Sequence, residues 1–480
     1  MPGKNEFGDF QTPRALADDV MALLRRYSTP ASIVEPSCGL GALLHAASAE
    51  YPTVPAFGLD INPAYVASAT QAKTNARAEV GDFFSYDWDD LFRRLPSPLL
   101  IIGNPPWVTN ADLSLLGSSN VPTKENSTGH TGIAAITGKS NFDISEWLMI
   151  RLTDAVLEAG AVGRLAFLCK LSVARKFLTH AWGRSLSVRK AEVYGIDAKR
   201  HFSASVEACL LVFEIGRGRD THCRVMESLK SEFAASEFGM EDGQILADVA
   251  AYRQIKRFVG VSPWTWRSGV KHDCAKVMQL LRVGPGQYQN GLGEVAELES
   301  EYLFPMFKSS NVASLTPEAP SSFMIVPQRT VGEDTLRIRL RAPKTWAYLN
   351  RHKAMFDKRG SSIYRNKPPF SVFGVGEYTF SRWKVAISGL YKRLAFRVIG
   401  PFENRPVVFD DTVYVAACET DAEAMSLFKA LQTPTSVSYF KAFVFWDAKR
   451  PITAEILNRL DVGQLGAERP SSFGPLFGAA

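Results

Sequence analysis

The sequence predicts an α/β fold in which a doubly wound, mostly parallel sheet precedes a second region of mixed α+β structure. Short aliphatic or β-branched runs alternate with helical stretches near the start of the chain, which is the pattern of βαβ units. With 480 residues, 46% of them hydrophobic, the chain is also long enough to build more than one core. We expect two domains, residues 1–245 and 246–480.

Each of the first four predicted strands ends in a turn with glycine or polar residues. The first strand, at 32–34, leads into Glu35-Pro36-Ser37-Cys38-Gly39-Leu40-Gly41, and a helix follows over 42–49. A strand, a glycine-bearing turn and a helix bring backbone N–H groups against an anionic ligand group. The remaining strand ends are Asp60, Gly81-Asp82-Phe83-Phe84 and the turn after the apolar run 99–103. Their order indicates a nucleotide-type site.

The glycine-rich turn departs from a dinucleotide-binding fingerprint. Gly39-Leu40-Gly41 supplies the first two glycines, but Leu44 stands where the third is required. No second mononucleotide-binding half is apparent either. Asp60 lies close to the offset of about 20 residues at which a βαβ unit places its ribose-binding carboxylate. A nucleotide-like cofactor is therefore expected, whereas a nicotinamide enzyme is not.

The fourth turn, Asn104-Pro105-Pro106-Trp107, is the most informative motif of the chain. Its two prolines fix the backbone and remove two N–H donors. The turn then presents carbonyl oxygens, one amide and one indole, which suit a planar ring with an exocyclic amine. None of these groups can act as a general base. The alternative is a proline-rich turn with a packed Trp.

Residues 7–215 resemble the γ class of S-adenosylmethionine-dependent DNA amino-methyltransferases, found in type II restriction–modification systems. The resemblance begins at Phe7-Gly8-Asp9-Phe10-Gln11-Thr12-Pro13 and includes the glycine-rich turn, Asp60, Asp82-Phe83 and Asn104 to Trp107, where Tyr is commoner than Trp in the last position. It implies a Rossmann-like catalytic domain with a terminal antiparallel hairpin, followed by a target-recognition domain. It also implies S-adenosylmethionine as the cofactor, held by Phe10, Gln11, Thr12, Glu35, Pro36, Ser37, Gly39, Gly41, Asp60, Ile61, Asp82, Phe83 and Asn104.

The resemblance further implies methylation of a base that has been flipped out of double-stranded DNA. The Asn104 side-chain oxygen and the Pro105 carbonyl would accept the N–H groups of the amine, and Trp107 would stack on the base. Phe202, in His201-Phe202-Ser203-Ala204, is the candidate for a second aromatic contact, and an ordinary core Phe is the alternative. The expected catalytic residues are Asn104, Pro105, Pro106, Trp107 and Phe202. Asn in the first position favours the 6-amino group of adenine, with the 4-amino group of cytosine as the alternative.

Charge is divided unevenly along the chain. Residues 1–250 contain 24 basic and 29 acidic residues, whereas residues 251–480 contain 31 and 20. Segment 341–400 has 13 basic residues, 2 acidic residues and eleven aromatic ones. Basic residues mixed with aromatics are typical of a nucleic-acid surface, and a solvated face is the alternative. The expected DNA-binding residues are Arg365, Lys367, Lys392 and Arg393.

The cysteines, the histidines and the apolar runs indicate which cofactors and which cellular location to expect. The six cysteines are far apart and the seven histidines show no ligand spacing, so we expect reduced thiols and no metal. No apolar run could span a bilayer and no signal peptide is apparent, so we expect a cytoplasmic protein, with a monomer as the expected state. We expect a domain boundary near 216–250, and the polar segment 108–140 is expected to close over the site.

Two other classes of protein remain open on the sequence alone. One is a methyltransferase of protein glutamine or of RNA, although such enzymes are usually shorter. The other is a DNA-binding specificity protein without activity, against which the intact Asn104 and Asp60 argue. A separate restriction endonuclease would be the partner of an active enzyme.

Overall fold

The computed structural model describes residues 10–71, 75–108, 143–316 and 319–466. The chain divides into two compact units, residues 1–249 and residues 250–480. Of the predicted segments, Phe7 to Asp9 and residues 109–140 lie outside the described residues. In the described part of the chain, every cysteine is buried and none forms a disulfide bond, and no helix is long and apolar enough to cross a membrane.

The first unit is built on one ten-stranded sheet. In chain order its strands are β1 Ser32–Glu35, β2 Ala56–Asp60, β3 Ala76–Val80, β4 Leu99–Gly103, β5 Gly163–Lys170, β6 Val188–Ile196, β7 Ala208–Ile215, β8 His222–Met226, β9 Ser236–Glu241 and β10 Gln244–Leu246. Across the sheet they follow the order β10-β9-β8-β6-β7-β5-β4-β1-β2-β3. The helices of this unit are Arg14–Leu24, Ala42–Glu50, Pro63–Thr70, Trp88–Arg94, Ile144–Glu158, Leu171–Gly183 and Ala198–Phe202.

The parallel part of this sheet is the predicted doubly wound fold. β3, β2, β1, β4 and β5 are parallel neighbours, and β1 and β4 are buried along their whole length. Strands covered on both faces are typically continuous apolar runs, which is why 99–103 could be recognised from sequence. β7 then pairs antiparallel with both β5 and β6. The predicted Rossmann-like sheet with an antiparallel hairpin is confirmed.

The two units divide after residue 249, at the end of the predicted boundary interval 216–250. β8 pairs parallel with β6, and β9 and β10 extend the sheet in antiparallel fashion. Most of this interval is therefore part of the first unit. Its strands are short and only partly buried, so their hydrophobic alternation is weak in the sequence.

The second unit has the predicted mixed α+β structure, with a four-stranded and a six-stranded sheet. Its strands are β11 Trp266–Ser268, β12 Gln279–Gly284, β13 Gln287–Asn290, β14 Val295–Glu297, β15 Leu303–Phe307, β16 Ser322–Ile325, β17 Trp383–Ser388, β18 Arg397–Ile399, β19 Val408–Phe409 and β20 Val413–Cys418. Its α-helices are Val249–Ile255, which begins at the boundary, Ala275–Met278, Ser309–Ala313, Ile338–Arg341, Pro343–Arg351, Lys353–Asp357, Asp421–Leu431, Pro434–Phe443 and Ala454–Asn458. The strand orders are β11-β20-β17-β18 and β14-β13-β12-β16-β15-β19.

Candidate active site

A cleft lies at the carboxyl ends of β1, β2, β3 and β4, where a doubly wound sheet binds its ligand. It is bounded by the turns after these four strands, by the segment before the first helix and by the helix Ile144–Glu158. Its lining residues are Phe10, Gln11, Thr12, Glu35, Pro36, Ser37, Cys38, Gly39, Ala42, Asp60, Ile61, Asn62, Tyr65, Gly81, Phe83, Phe84, Asn104, Pro106, Ile144 and Leu148.

The glycine-rich turn requires its glycines. Gly39 and Gly41 have φ values of 51° and 84°, in the left-handed region that disfavours a side chain. A Cβ at Gly39 would lie 2.6 Å from Gln11 Oε1, which accepts a hydrogen bond from the Leu40 N–H at 2.9 Å. This contact joins the glycine-rich turn to the segment before the first helix. The two motifs, which follow each other in the sequence, therefore lie side by side in the structure.

Glu35 both lines the cleft and supports the helix that follows the turn. Its side-chain Oε2 accepts a hydrogen bond from the Leu44 N–H at 2.8 Å, near the N-terminus of the helix Ala42–Glu50. Burial raises the pKa of Glu35 well above its usual value; the Leu44 N–H opposes this shift and Asp60 adds to it. Ser37, also in the lining, has a buried Oγ without a hydrogen-bond partner among the described residues. A polar atom of this kind calls for a ligand or water.

Asp60 is fixed at the end of β2 by two backbone N–H groups. One carboxylate oxygen accepts from Gly39 at 2.8 Å and the other from Asn62 at 2.9 Å. Asn62 in turn caps the helix Pro63–Thr70 through its side chain. The acid is therefore held between the glycine-rich turn and the next helix. Asn62 and Tyr65 line the cleft but were missed by the sequence analysis, since only proximity to Asp60 could have indicated them.

Aromatic side chains form another wall of the cleft. Phe83 and Phe84 line it, and Trp147 contacts both, with ring centroids 5.9 and 5.1 Å away. The Asp82 carboxylate accepts the Phe84 N–H at 2.9 Å and thereby shapes the turn, but Asp82 does not line the cleft. Flat apolar walls of this kind suit a purine ring.

Asn104 presents a hydrogen-bond acceptor to the cleft, as the binding of an amine requires. Its Nδ2 donates to the Phe10 carbonyl at 2.7 Å and to Thr12 Oγ1 at 3.2 Å. Its Oδ1 is buried and has no hydrogen-bond partner among the described residues. The amide is thus fixed by its donor side, and its acceptor side is left unsatisfied in the cleft. A buried acceptor of this kind costs free energy until a donor reaches it.

Trp107 belongs to an aromatic cluster with Phe10 and Phe202. Its ring centroid lies 5.6 Å from that of Phe10 and 5.0 Å from that of Phe202, and its Nε1 donates to the Leu168 carbonyl at 3.2 Å. Trp107 and Phe202 are only 5% and 8% exposed. The structure therefore brings the two predicted aromatic residues together, packed against each other and against Phe10.

The helix Ile144–Glu158 holds the turn of residues 104–107 in place. Ser145 Oγ donates to the Pro106 carbonyl at 2.8 Å, and the Ile144 N–H donates to the Val108 carbonyl at 3.0 Å. Asp143 caps this helix and pairs with Lys170, at the end of β5, at 2.7 Å. No sequence motif indicated these residues, because their role arises from contact with the turn.

The structure thus brings most of the predicted cleft residues together. Twelve of them, namely Phe10, Gln11, Thr12, Glu35, Pro36, Ser37, Gly39, Asp60, Ile61, Phe83, Asn104 and Pro106, line one cleft. Gly41, Asp82, Pro105, Trp107 and Phe202 are not among the lining residues.

The predicted DNA-binding residues are exposed and lie in the second unit. The segment with Arg365 and Lys367 follows Tyr364, whose hydroxyl donates to the Lys271 carbonyl at 3.3 Å. The segment with Lys392 and Arg393 follows Gly389, whose N–H donates to the Thr412 carbonyl.

Not every basic residue of segment 341–400 belongs to a surface. Lys384 is 1% exposed, and its Nζ donates to the carbonyls of Ser381 and of Val407, the latter at 3.0 Å. Arg359 lies over the Tyr364 ring and donates to the Ser371 carbonyl at 2.7 Å. The basic count therefore overstates the charge available to a nucleic acid.

Comparison with known proteins agrees with this geometry. The chain is 40% identical to the type II methyltransferase M.NspV of Nostoc sp. over 468 residues, which cover 96% of this chain and 97% of that one. It is 33% identical over 108 residues to the type II methyltransferase M.CvrRI of Paramecium bursaria Chlorella virus XZ-6E, or 22% of this chain and 26% of that one. No family model matches the sequence.

The fold resembles that of the type IIL restriction–modification enzyme MmeI in complex with DNA. The two structures superpose with a TM-score of 0.57 at 13% sequence identity, over 94% of this chain. The chain spans 64% of the length of that enzyme.

Proposed function

Because the chain belongs to the type II methyltransferases, we propose that it transfers a methyl group from S-adenosylmethionine to the 6-amino group of adenine in double-stranded DNA. The enzyme would act at a specific sequence and protect that DNA from a separate restriction endonuclease. Asn104 carries this proposal, because its buried Oδ1 lacks a donor in the cleft.

The chemistry expected of Asn104 follows from the electronic structure of an aromatic amine. The lone pair of such an amine is delocalised into the ring, so the amine is a weak nucleophile. Two acceptors that take its N–H groups, Asn104 Oδ1 and the Pro105 carbonyl, would orient the lone pair out of the ring toward the methyl donor. This is catalysis by positioning and electrostatics and requires no general base on the turn. The Asn104 Nδ2 contacts with Phe10 and Thr12 keep the oxygen on the side of the cleft.

The aromatic cluster provides the proposed place for the flipped base. The indole of Trp107 is held by its bond to the Leu168 carbonyl, so it presents a fixed face. The ring centroid of Phe202 lies 5.0 Å from that of Trp107, and Phe202 would supply the second aromatic contact to the base. Stacking in the pocket would offset part of the few kcal/mol that unstacking costs in the duplex.

The residues of the cleft fit S-adenosylmethionine. The Asp60 carboxylate would accept from the ribose hydroxyls, and Phe83, Phe84 and Ile61 would enclose the adenine. Ser37 has a buried hydroxyl whose partner is missing, which is consistent with a polar ligand. When bound, this cofactor supplies an electrophilic methyl group and its own leaving group.

We place DNA recognition in the second unit, with Arg365, Lys367, Lys392 and Arg393 as contacts. All four are exposed. Phosphates would supply most of the affinity, and some of the four arginines and lysines would read guanine edges.

Nucleoside analysis by mass spectrometry tests the reaction. DNA incubated with the full chain and S-adenosylmethionine is digested, and 6-methyladenine is the expected product. Asn104→Ala should abolish product, because it removes one of two acceptors at the amine, while cofactor binding, to which the other cleft residues contribute, should weaken far less than turnover.

Three outcomes contradict the proposal at different points. With 4-methylcytosine as the product, the target base is wrong. Near-normal turnover of Asn104→Ala excludes Asn104 from catalysis. If DNA of random sequence contains no methylated base after the incubation, the chain is a DNA-binding protein without methyltransferase activity.

A further inference from the structure

A second cavity lies at the opposite edge of the first sheet from the cleft. It is formed where β4 and β5 begin and β7 ends, and it shares no lining residue with the cleft. We call it the amino-edge cavity, defined by Arg164, Arg189, Lys190 and Glu214 together with the surrounding apolar residues. Its volume is about 270 Å³, which is ample for a small anion.

Three cationic side chains meet one carboxylate in this cavity. Glu214 lies 3.0 Å from a guanidinium nitrogen of Arg164, 3.0 Å from one of Arg189 and 3.3 Å from Lys190 Nζ. Burial alone would raise the pKa of Glu214, but the hydrogen bonds and charges of Arg164 and Lys190 hold it below its usual value. Glu214 is therefore ionised and neutralises one of the three cations, which leaves a net charge of +2 in the lining.

The neighbouring charges do not cancel this excess. Asp220 accepts the Lys190 backbone N–H at 2.8 Å but is not a lining residue. Two further ionic pairs of this unit, Arg25 with Glu50 and Arg224 with Glu192, are each neutral as a whole. Even with Asp220 counted, the surroundings of the amino-edge cavity remain positive.

Two N–H donors of the cavity arginines lack acceptors. The Nε atoms of both Arg164 and Arg189 are buried and have no hydrogen-bond partner among the described residues. A buried N–H of a charged group without an acceptor is costly, so these two adjoining arginines call for an acceptor, from water or from a ligand. Water could satisfy the hydrogen bonds, but it would not balance the charge.

The backbone of β6 brings Lys190, the third cation, to Glu214. β6 contains a register shift between Arg189 and Glu192, and Lys190 has a φ of 48°. A bulge of this kind turns consecutive side chains away from strict alternation. Arg189 and Lys190 are therefore able to reach the same carboxylate although they are adjacent in sequence.

From the unsatisfied guanidinium donors and the excess positive charge, we propose that the amino-edge cavity binds an oxyanion of the phosphate type, either inorganic phosphate or the phosphate of a small monoester. A phosphate presents several acceptor oxygens and a double negative charge, and the fork of an arginine matches its geometry. The site is independent of the methyl-transfer reaction.

Calorimetric titration of the full chain with inorganic phosphate tests this site. It is done at mildly alkaline pH, where phosphate is a dianion, against chloride at equal ionic strength. We expect one phosphate per chain and a higher melting temperature in phosphate than in chloride. Arg189→Gln should weaken binding by about tenfold or more, because it removes one charge-assisted contact. Arg184→Gln is the matched control, since Arg184 pairs with Asp154 outside the cavity.

A second ligand identifies the source of the phosphate, and a second variant keeps the test valid if the first variant does not fold. Titration with ribose 5-phosphate, with ribose as its control, is compared with titration by inorganic phosphate. The ligand that binds more tightly shows whether the cavity binds a monoester or the free anion. Lys190→Gln, at a side chain that is 63% exposed, should also weaken binding and decides the matter if Arg189→Gln does not fold. Absence of phosphate binding, or equal affinity in Lys190→Gln and the parent, overturns the proposal and leaves a water-filled cavity.

Discussion

At the residue scale, the site depends on which atoms of a side chain are already engaged. Asn104 uses its donors on Phe10 and Thr12, and its acceptor remains for a ligand. Asp60 likewise has both carboxylate oxygens aligned by backbone N–H groups before any ligand binds. Such prior alignment lowers the entropic cost of binding. Residue type alone predicts neither arrangement.

Asp60→Ala should weaken cofactor binding more than it slows transfer. The substitution removes the carboxylate proposed to accept from the ribose hydroxyls, together with its contacts to Gly39 and Asn62. We expect at least about a tenfold rise in the dissociation constant for S-adenosylmethionine, as for a lost charged hydrogen bond, measured by calorimetry. At saturating cofactor the turnover number should recover.

Asp90→Ala is the control for this experiment, because Asp90 pairs with Arg94 on the exposed face of the helix Trp88–Arg94 and does not line the cleft. If Asp60→Ala binds the cofactor as tightly as this control, Asp60 is not part of the cofactor site.

At the element scale, the sequence predicted those parts that are set by local pattern. β1, β2 and β4 are short apolar runs with a polar turn after each, and they lie where the pattern indicated. β8, β9 and β10 are half-buried edge elements, and the pairing of β8 with β6, which joins all three to the sheet, is a long-range contact that no local pattern reveals. Ser145 and Lys170 could not be predicted for the same reason, because they act through tertiary contacts with the turn of residues 104–107 and with its supporting helix.

Ser145→Ala should slow methyl transfer without weakening cofactor binding. The Ser145 hydroxyl holds the Pro106 carbonyl at 2.8 Å, so its loss frees the turn that carries Asn104 and Pro105. One buried hydrogen bond is worth about 1 kcal/mol, so we expect single-turnover rates to fall by roughly fivefold to tenfold. Rapid-quench kinetics at saturating DNA and cofactor measure this rate.

Ser48→Ala is a matched control, because Ser48 is buried in the same unit but its hydroxyl has no hydrogen-bond partner among the described residues. Equal rates in the two variants would show that the Ser145 contact does not position the turn.

At the scale of the whole molecule, charge has two separate roles in the second unit. The exposed basic residues are candidates for phosphate contacts, whereas Lys384 is buried on β17, and its hydrogen-bond partners among the described residues are carbonyl oxygens. Composition could not separate the two roles, since both kinds of residue count equally in segment 341–400. Burial lowers the pKa of Lys384 from 10.5 to about 7, with a small opposing effect of Cys418.

Lys384 should make stability depend on pH in a defined direction. Between about pH 7 and pH 10.5 the unfolded chain carries the proton on Lys384 and the folded chain does not, so stability rises with pH across this window. The slope is at most about 1.4 kcal/mol per pH unit. Comparison of denaturant unfolding of the parent and Lys384→Met at several pH values isolates this contribution, because other groups cancel in the difference.

The stability of the parent relative to Lys384→Met should therefore increase from pH 7 to pH 10. Lys367→Met, at an exposed position, is the control and should give a constant difference. A constant difference for Lys384→Met as well would mean that Lys384 is not desolvated in the folded protein.

The final prediction concerns the four exposed residues proposed to contact DNA. Replacement of Arg365, Lys367, Lys392 and Arg393 by Gln should weaken DNA binding and reduce its dependence on salt. Each lost phosphate contact lowers the slope of log K against log salt concentration by about one. Fluorescence anisotropy with a labelled duplex, repeated over a range of salt concentrations, measures both quantities.

A control with the same loss of charge replaces four other exposed lysines of this unit, Lys276, Lys308, Lys429 and Lys449. Non-specific attraction to the net positive charge responds equally to both sets, whereas a defined phosphate-binding surface responds to the first set alone. If the first set leaves affinity and salt slope at the values of the parent, DNA is recognised by another surface. Single substitutions then separate the two roles within the set, because a residue that reads a guanine edge changes the preferred sequence, while a phosphate contact weakens all sequences equally.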